Sequence, residues 1–470
     1  MNTSFPTLTL VLATGGLAGC SLPAVGPDYR RPETPVAASY QDASAATTNP
    51  LAKDWWREFG DAELDRTIAK ALAENQSLQA ALARVEQARA LTGEARSVFL
   101  PTVGAVGMAT REQTSETTTN RFPNGLTTTY RLPLTLSWEL DLFGRVRRLN
   151  EGARANHLAT QEVADATRLE VAAETASTYF ALTATDEETR IVAHTLELQR
   201  EMLSLVEARR DAGRASDLAL EQARLAVSSS EADLAAVANR RAALKNGLAI
   251  LLGQAAPAFE IDERAPLRGA LPVIPVGLPS ELLRRRPDLA AAESGLKAAN
   301  AQVGVAKAAF FPSISLTGSA GAASAEIDSL FQRDSRAWSI GPSVYLPLFQ
   351  GGRNRAAYRR SQAAFEEAAA GFRQSILAAM REVQDALTAS QRLSAQADAV
   401  ARAVVSARRV RELAETRYLA GATSYLEVID AQRNALAVER SATALAGQRW
   451  VTHVTLIRAL GGGWEAPAAL

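Results

Sequence analysis

The chain of 470 residues contains one cysteine, Cys20, and three histidines, His157, His194 and His453. A lone cysteine can form neither an internal disulfide nor a thiolate metal cage. The histidines fall on predicted helices without metal-ligand spacing and read as surface or packing residues. "LFQGGRNR" (Leu348–Arg355) places glycines as phosphate loops do, but it lacks the Lys-Ser/Thr pair of such loops. Its counterpart "LFGRVR" (Leu142–Arg147) has one glycine, so both read as strand-to-helix junctions. "LGGGW" (Leu460–Trp464) ends a helix. No catalytic set, cofactor or metal is expected. Lys+Arg and Asp+Glu both count 51, so no excess charge calls for nucleic acid.

Cys20 has another use. It follows "LTLVLATGGLAG" (Leu8–Gly19), an apolar run closing on small residues, as in a secretory signal. The run is too short for a transmembrane helix, which needs about 20 apolar residues. Leu-Ala-Gly-Cys resembles the bacterial lipobox, which makes Cys20 the lipidated first residue of the mature chain. The first ten residues carry no Lys or Arg. Ser21 follows where an Asp would mark inner-membrane retention, which points to the outer membrane.

The elements that follow come twice. "FLPTVG" (Phe99–Gly104) returns as "FFPSIS" (Phe310–Ser315), and "DLFGRVR" (Asp141–Arg147) as "PLFQGGR" (Pro347–Arg353). "RRDAGRASDL" (Arg209–Leu218) returns as "RYLAGATSYL" (Arg417–Leu426), at an offset of 208 residues. The organisation expected is a signal at 1–19, a lipidated segment at 20–60, repeats at 61–253 and 280–461, a Pro-rich linker at 254–279 and a tail at 462–470. Each repeat reads helix, strand, loop, strand, long helix, tight turn, helix. Strands are expected at about 99–109, 130–142, 310–319 and 337–348. Helices are expected at 146–211, 216–252, 353–419 and 424–460.

From Leu132 to Leu142 every second residue is apolar, and Trp338, Ile340, Val344, Leu346 and Leu348 repeat the pattern. Period-two alternation gives one wet and one apolar face. Eleven residues are also what a tilted strand needs to cross a bilayer, about 9–11. Proline-free spans of 66 residues (Val146–Asp211) and 67 residues (Arg353–Leu419) are about 100 Å long as helices. Ile429, Leu436, Trp450 and Ile457 share one heptad register, as packing against neighbouring helices requires. Four membrane strands cannot close a barrel alone, and lipid does not tolerate an open edge. Two chains would give eight strands, plugged by side chains; three would give twelve and leave a bore.

"VGPDYRRP" (Val25–Pro32), "RRRPDLAAAE" (Arg284–Glu293), "FFPSISL", "PLFQGGR" and "YLEVIDAQRNAL" (Tyr425–Leu436) resemble the TolC-like outer membrane factors, closest to the OprM-like lipoprotein branch. The likeness spans essentially the whole mature chain. It implies a mainly α fold with membrane β-strands: a homotrimeric twelve-stranded barrel continued by a long periplasmic α-helical barrel. It implies an exit duct for drugs in the cell outer membrane, lipid-anchored and extending into the periplasm. The implied partners are a periplasmic adaptor (membrane fusion) protein, a proton-driven inner-membrane pump of the RND type and outer-membrane lipid. A duct for metal ions or secreted proteins, and a non-conducting trimeric scaffold, are the alternatives.

The turns "DAGRASD" (Asp211–Asp217) and "LAGATSY" (Leu419–Tyr425) are the expected periplasmic tips. Gly213 and Gly421 suit a left-handed residue closing a long helix, and the resemblance implies that the tips dock the adaptor. At offset 208 the repeats differ: Asp430 stands against Gln222, Arg433 against Leu225 and Tyr418 against Arg210, while Arg417 matches Arg209. One inward Asp per chain makes a carboxylate ring in a trimer. By resemblance, Leu426, Asp430 and Arg433 form the gate, with Arg417 and Tyr418 locking neighbouring hairpins.

Overall fold

The computed structural model describes residues 24–34, 37, 39–41, 51–115, 117, 125–267, 269–277 and 279–465. The expected signal and Cys20 lie outside the described residues. The chain forms two compact units. One comprises Met1–Tyr29 (described from Ala24), Leu91–Arg154 and Lys297–Phe365; the other comprises Arg30–Ala90, Ala155–Leu296 and Glu366–Leu470. The units do not follow the sequence repeats: each repeat gives its strands to the first unit and most of its helices to the second. In the first unit, strands of the two repeats pair with each other.

The first unit is built on one antiparallel sheet of β1 (Thr102–Ala105), β2 (Met108–Gln113), β3 (Leu126–Leu140), β4 (Ser313–Ser324) and β5 (Arg336–Tyr345). β1 and β2 lie end to end along one side of β3; β4 lies on its other side, and β5 flanks β4. The strands depart from the expected spans for local reasons. Phe99, Leu100, Phe310 and Phe311 give their amides back to the preceding helix, to Arg96 O, Ser97 O, Lys307 O and Ala308 O. The sheet therefore starts later, at Thr102 and Ser313. The break at Val106–Gly107 lies opposite Pro133, which has no N–H to donate. β3 starts earlier than expected because the polar stretch Thr127–Thr129 still pairs with β2.

Register separates two faces. One carries Leu134 opposite Ala320, Leu136 opposite Gly318, Trp138 opposite Leu316, and Ile340 opposite Gly318. The other carries Thr135 opposite Ser319, Ser319 opposite Ser339, and Ser137 opposite Thr317. Ser319 Oγ and Ser339 Oγ are 2.9 Å apart. On the apolar face Trp338 is 77% and Val344 64% exposed, so nothing among the described residues covers them. Among the described residues no helix is long and apolar enough to cross a membrane.

At the end of β3 the chain passes into α3 (Arg145–Asp211) over a polar latch. Asp141 accepts from Val146 N at 3.1 Å and Arg147 N at 2.8 Å, and Glu139 takes Arg145 through contacts of 2.7 and 2.5 Å. A carboxylate at the start of a helix satisfies orphan donors and complements the helix dipole. Gly144, at φ +83°, lets Ala24 approach; a Cβ there would lie 2.5 Å from Ala24 Cα.

The second unit is helical. Its described elements include α1 (Ala62–Glu74), most of α3, α4 (Asp217–Leu251), most of α7 (Arg353–Leu419) and α8 (Tyr425–Ala459). Between α4 and α7 come α5 (Leu282–Arg285) and α6 (Pro287–Ala308), and α2 (Gln76–Ser97) follows α1. α1 buries Leu64, Ile68 and Ala71, the i, i+4, i+7 stripe of an amphipathic helix. Asp61 caps it, accepting from Glu63 N and Leu64 N, and its other oxygen accepts the Tyr179 hydroxyl at 2.5 Å. Burial foremost, with that bond, pushes the Tyr179 phenol well up. An aromatic cluster sits beside it, with Phe59, Phe180 and Trp450 centroids 4.9 to 5.6 Å apart. Buried carboxylates cross-tie the helices: Glu188 meets Arg240 at 2.8 Å and Arg440 at 3.0 Å, and Asp186 meets Arg241 at 2.5 Å. A carboxylate buried this far is stable only when so paired.

His453 packs edge-on to Phe59, with Nε2 at 2.5 Å from Pro272 O. Burial holds its imidazole below the ordinary value, Arg449 adds to this, and the Pro272 bond opposes it. The neutral ring donates from Nε2. With the folded value depressed, the unfolded chain takes up the proton first as pH falls below about 6.5. Stability is therefore full above that value and declines below it. The fall in melting midpoint between about pH 7.5 and 5.5 is expected to be shallower in His453→Gln. In the sheet, a Cβ at Gly321 would drive into the Leu132 carbonyl and lie 2.7 Å from Pro133 Cα, whereas one at Gly341 meets nothing. Gly321→Ala is expected to lower the yield of folded sheet, read by circular dichroism, and Gly341→Ala to leave it unchanged.

Candidate functional site

The two helix turns close in the same way. Gly213 (φ +71°) and Gly421 (φ +75°) are left-handed. Gly421 N donates to Tyr418 O at 3.0 Å and Ala422 N to Arg417 O at 2.8 Å; Gly213 N and Arg214 N do the same to Arg210 O and Arg209 O. This paired pattern satisfies the last carbonyls of each long helix. Ser216 caps α4 by accepting from Ala219 N, and Ser424 precedes α8.

Between the turns, Val206, Leu220, Ala223, Tyr418, Tyr425 and Val428 form a buried apolar cluster. Tyr418 is 6% exposed and its ring lies 5.4 Å from that of Tyr425. Burial, with Tyr418 beside it, pushes the Tyr425 phenol up to about 12. The Tyr425 hydroxyl has no hydrogen-bond partner among the described residues. Arg209 then fastens one turn to the other. It donates from Nη1 to Tyr418 O and from Nη2 to Leu419 O, both at 3.2 Å, and its guanidinium stands 4.6 Å over the Tyr418 ring. A cation on the last carbonyls of a helix also complements its dipole.

The structure divides the expected gate residues. Leu426, Asp430 and Arg433 share one face of α8 at i, i+4 and i+7. Leu426 is 51% exposed, and Arg433 Nη2 lies 3.3 Å from Asp430 Oδ1. This solvent-facing pair restrains little by itself. Arg417 is exposed, with no ion pair among the described residues. Tyr418 is turned inward to Arg209 and Tyr425 of its own chain, so the contact it makes here is between hairpins of one chain. Arg209, the residue making that contact, stood in the sequence only as the repeat partner of Arg417. The separate signal that could have found it is a cation one turn before Gly213.

The chain matches the model of the family described as outer membrane efflux protein over residues 67–254 and 278–462. It belongs to the outer membrane efflux protein family. Members it resembles include the solvent efflux pump outer membrane protein SrpC of Pseudomonas putida, 34% identical over 98% of both chains. The cation efflux system protein CusC of Escherichia coli is 35% identical over 96% of this chain and 97% of its own. The Campylobacter jejuni CmeC outer membrane channel superposes with a TM-score of 0.89 at 26% identity, covering 94% and 95% of the two chains.

Because Arg209 fastens the turns, Arg209→Ala is expected to speed hydrogen exchange of the Tyr418–Ala422 amides about ten- to a hundredfold, since hydrogen bonds to charged groups contribute about 1.5–3 kcal/mol. Arg417→Ala, which removes no such bond, is expected to leave those amides unchanged.

Proposed function

We propose that three copies close one twelve-stranded barrel from their sheets and act as the exit duct of a tripartite efflux pump. The observation that carries this reading is the sheet itself. It has an uncovered apolar face, a hydroxyl-lined face, and an unpaired edge on β5 and along β1–β2. Side chains would plug eight strands, whereas twelve leave an aqueous bore. The Thr and Ser face then lines the bore, and solutes move passively; the pump supplies the driving force.

In this reading the turns around Gly213 and Gly421 are the periplasmic tips and meet the adaptor, with an RND-type proton-driven pump beyond it. Leu426 supplies an apolar collar, Asp430 a carboxylate ring, and Arg433 the cation that partly neutralises it. Arg417, exposed beside the turn, is free to bridge neighbouring copies, and Tyr418 anchors the turn from within. A lipid on Cys20 adds about 0.8 kcal/mol per buried CH₂ to the anchorage.

Organic solutes are the first cargo class, supported by the likeness to a solvent-pump component. The equal likeness to CusC, a cation efflux protein, supports metal ions as the second reading. Deletion and restoration of the gene, with cellular accumulation of dyes, several antibiotic classes, copper and silver, separates them. Organic compounds are expected to accumulate on deletion and clear on restoration; accumulation of metals alone favours the second reading. Asp430→Ala is expected to raise resting single-channel conductance and to lower its preference for cations. An unchanged conductance and selectivity would remove Asp430 from the gate.

A further inference from the structure

Charge is sparse on the hydroxyl face of the sheet. Its β-strand residues there are Thr, Ser, Gly, Ala, Pro and Met, with Tyr345 at one end and three ionisable exceptions: Glu139, Arg131 and Glu112. Glu139, at the helical end of β3, is neutralised by Arg145. Arg131 lies toward the loop end of β3, exposed, with no ion pair among the described residues. Its lateral neighbours are Met108 on β2 and Ala323 on β4, and along its own strand the same face carries Thr129 and Pro133. None of them offers a charge. Glu112, opposite Thr127, is four residues further along, about 14 Å at about 3.4 Å per residue. That exceeds the Debye length of about 8 Å, so the two charges are felt separately.

β3 is an interior strand. Both strands flanking Arg131 belong to its own chain, so a neighbouring copy joining at the edges does not reach it through the sheet. Its position on the wet face is fixed by register: a slip of one residue would turn Arg131 to the apolar side of the sheet and Leu132, Leu134 and Leu136 to the wet side.

We propose that Arg131 forms a positive ring inside the loop-side mouth of the duct and sets its charge selectivity there, drawing anionic solutes and retarding cations. The inference rests on the three-chain barrel reading. Twelve strands about 4.8 Å apart and tilted about 40° give a backbone radius of about 12 Å. An extended arginine brings its charge within a Debye length of the axis from that wall. The strand residues around Arg131 on this face are uncharged, so the three guanidiniums are the charge that the strands themselves present at this level. Rings of basic side chains select for anions and phosphates in pores.

The test is block of single-channel current by inorganic tripolyphosphate added to the loop side of a planar bilayer. Protein with Asp430→Ala at the tips keeps the far gate out of the reading. Arg131→Gln is expected to raise the half-blocking concentration about tenfold or more, and Arg131→Glu to abolish block. Arg131→Lys, which keeps the charge, is expected to retain it, and so is Glu112→Gln. Equal block in Arg131→Gln and its parent would overturn the ring, as would loss of block in Glu112→Gln alone. A parent that conducts shows the duct reading intact whatever Arg131 does. Oligomers that insert without conducting in any variant overturn the duct, and the ring with it.

Discussion

A backbone N–H or C=O in hydrocarbon must be hydrogen-bonded, because no water is there to replace the lost partner. This chain makes a sheet only four strands wide, with β5 open on one side and β1–β2 on the other. Such a sheet, apolar and exposed on one face, is stable neither in water nor alone in lipid. The remaining features answer to that constraint. The face alternation, the closing of edges between copies and the small polar side chains of the wet face all follow from putting the sheet in a bilayer.

The helical part obeys a different physics. A 67-residue helix in water has no apolar solvent to satisfy, so it is held by stripes of small and aliphatic residues and by ionic cross-ties. Glu188, 6% exposed between Arg240 and Arg440, binds three helices at one level. Ties of this kind fix register more than they add stability, because desolvation offsets much of the attraction. The turns are set by glycine geometry and by Arg209, and they leave Leu426, Asp430 and Arg433 facing solvent.

Much of this was legible in the sequence where one physical signal dominates. Proline-free tracts ending in Gly213 and Gly421 declare long helices and their turns, and strict alternation from Leu132 to Leu142 declares a two-faced strand. The wet ends of the strands were less legible. Thr127–Thr129 is polar on both faces and owes its strand conformation to pairing with β2, and the Val106–Gly107 break depends on a proline on another strand. At the turns, residue types pointed to the Asp430 face of α8, but only packing distinguishes buried Tyr418 from exposed Arg417. Arg131 was silent as well. Its meaning comes from the register of two neighbouring strands and the lack of charge around it.

Everything above turns on how many sheets close the barrel. Native mass spectrometry of the full-length protein, released from detergent, counts the chains directly. Three chain masses are the expected result. A single chain would leave the sheet edges unpaired, and a pair would give eight strands with no room for a bore; either mass would contradict the duct.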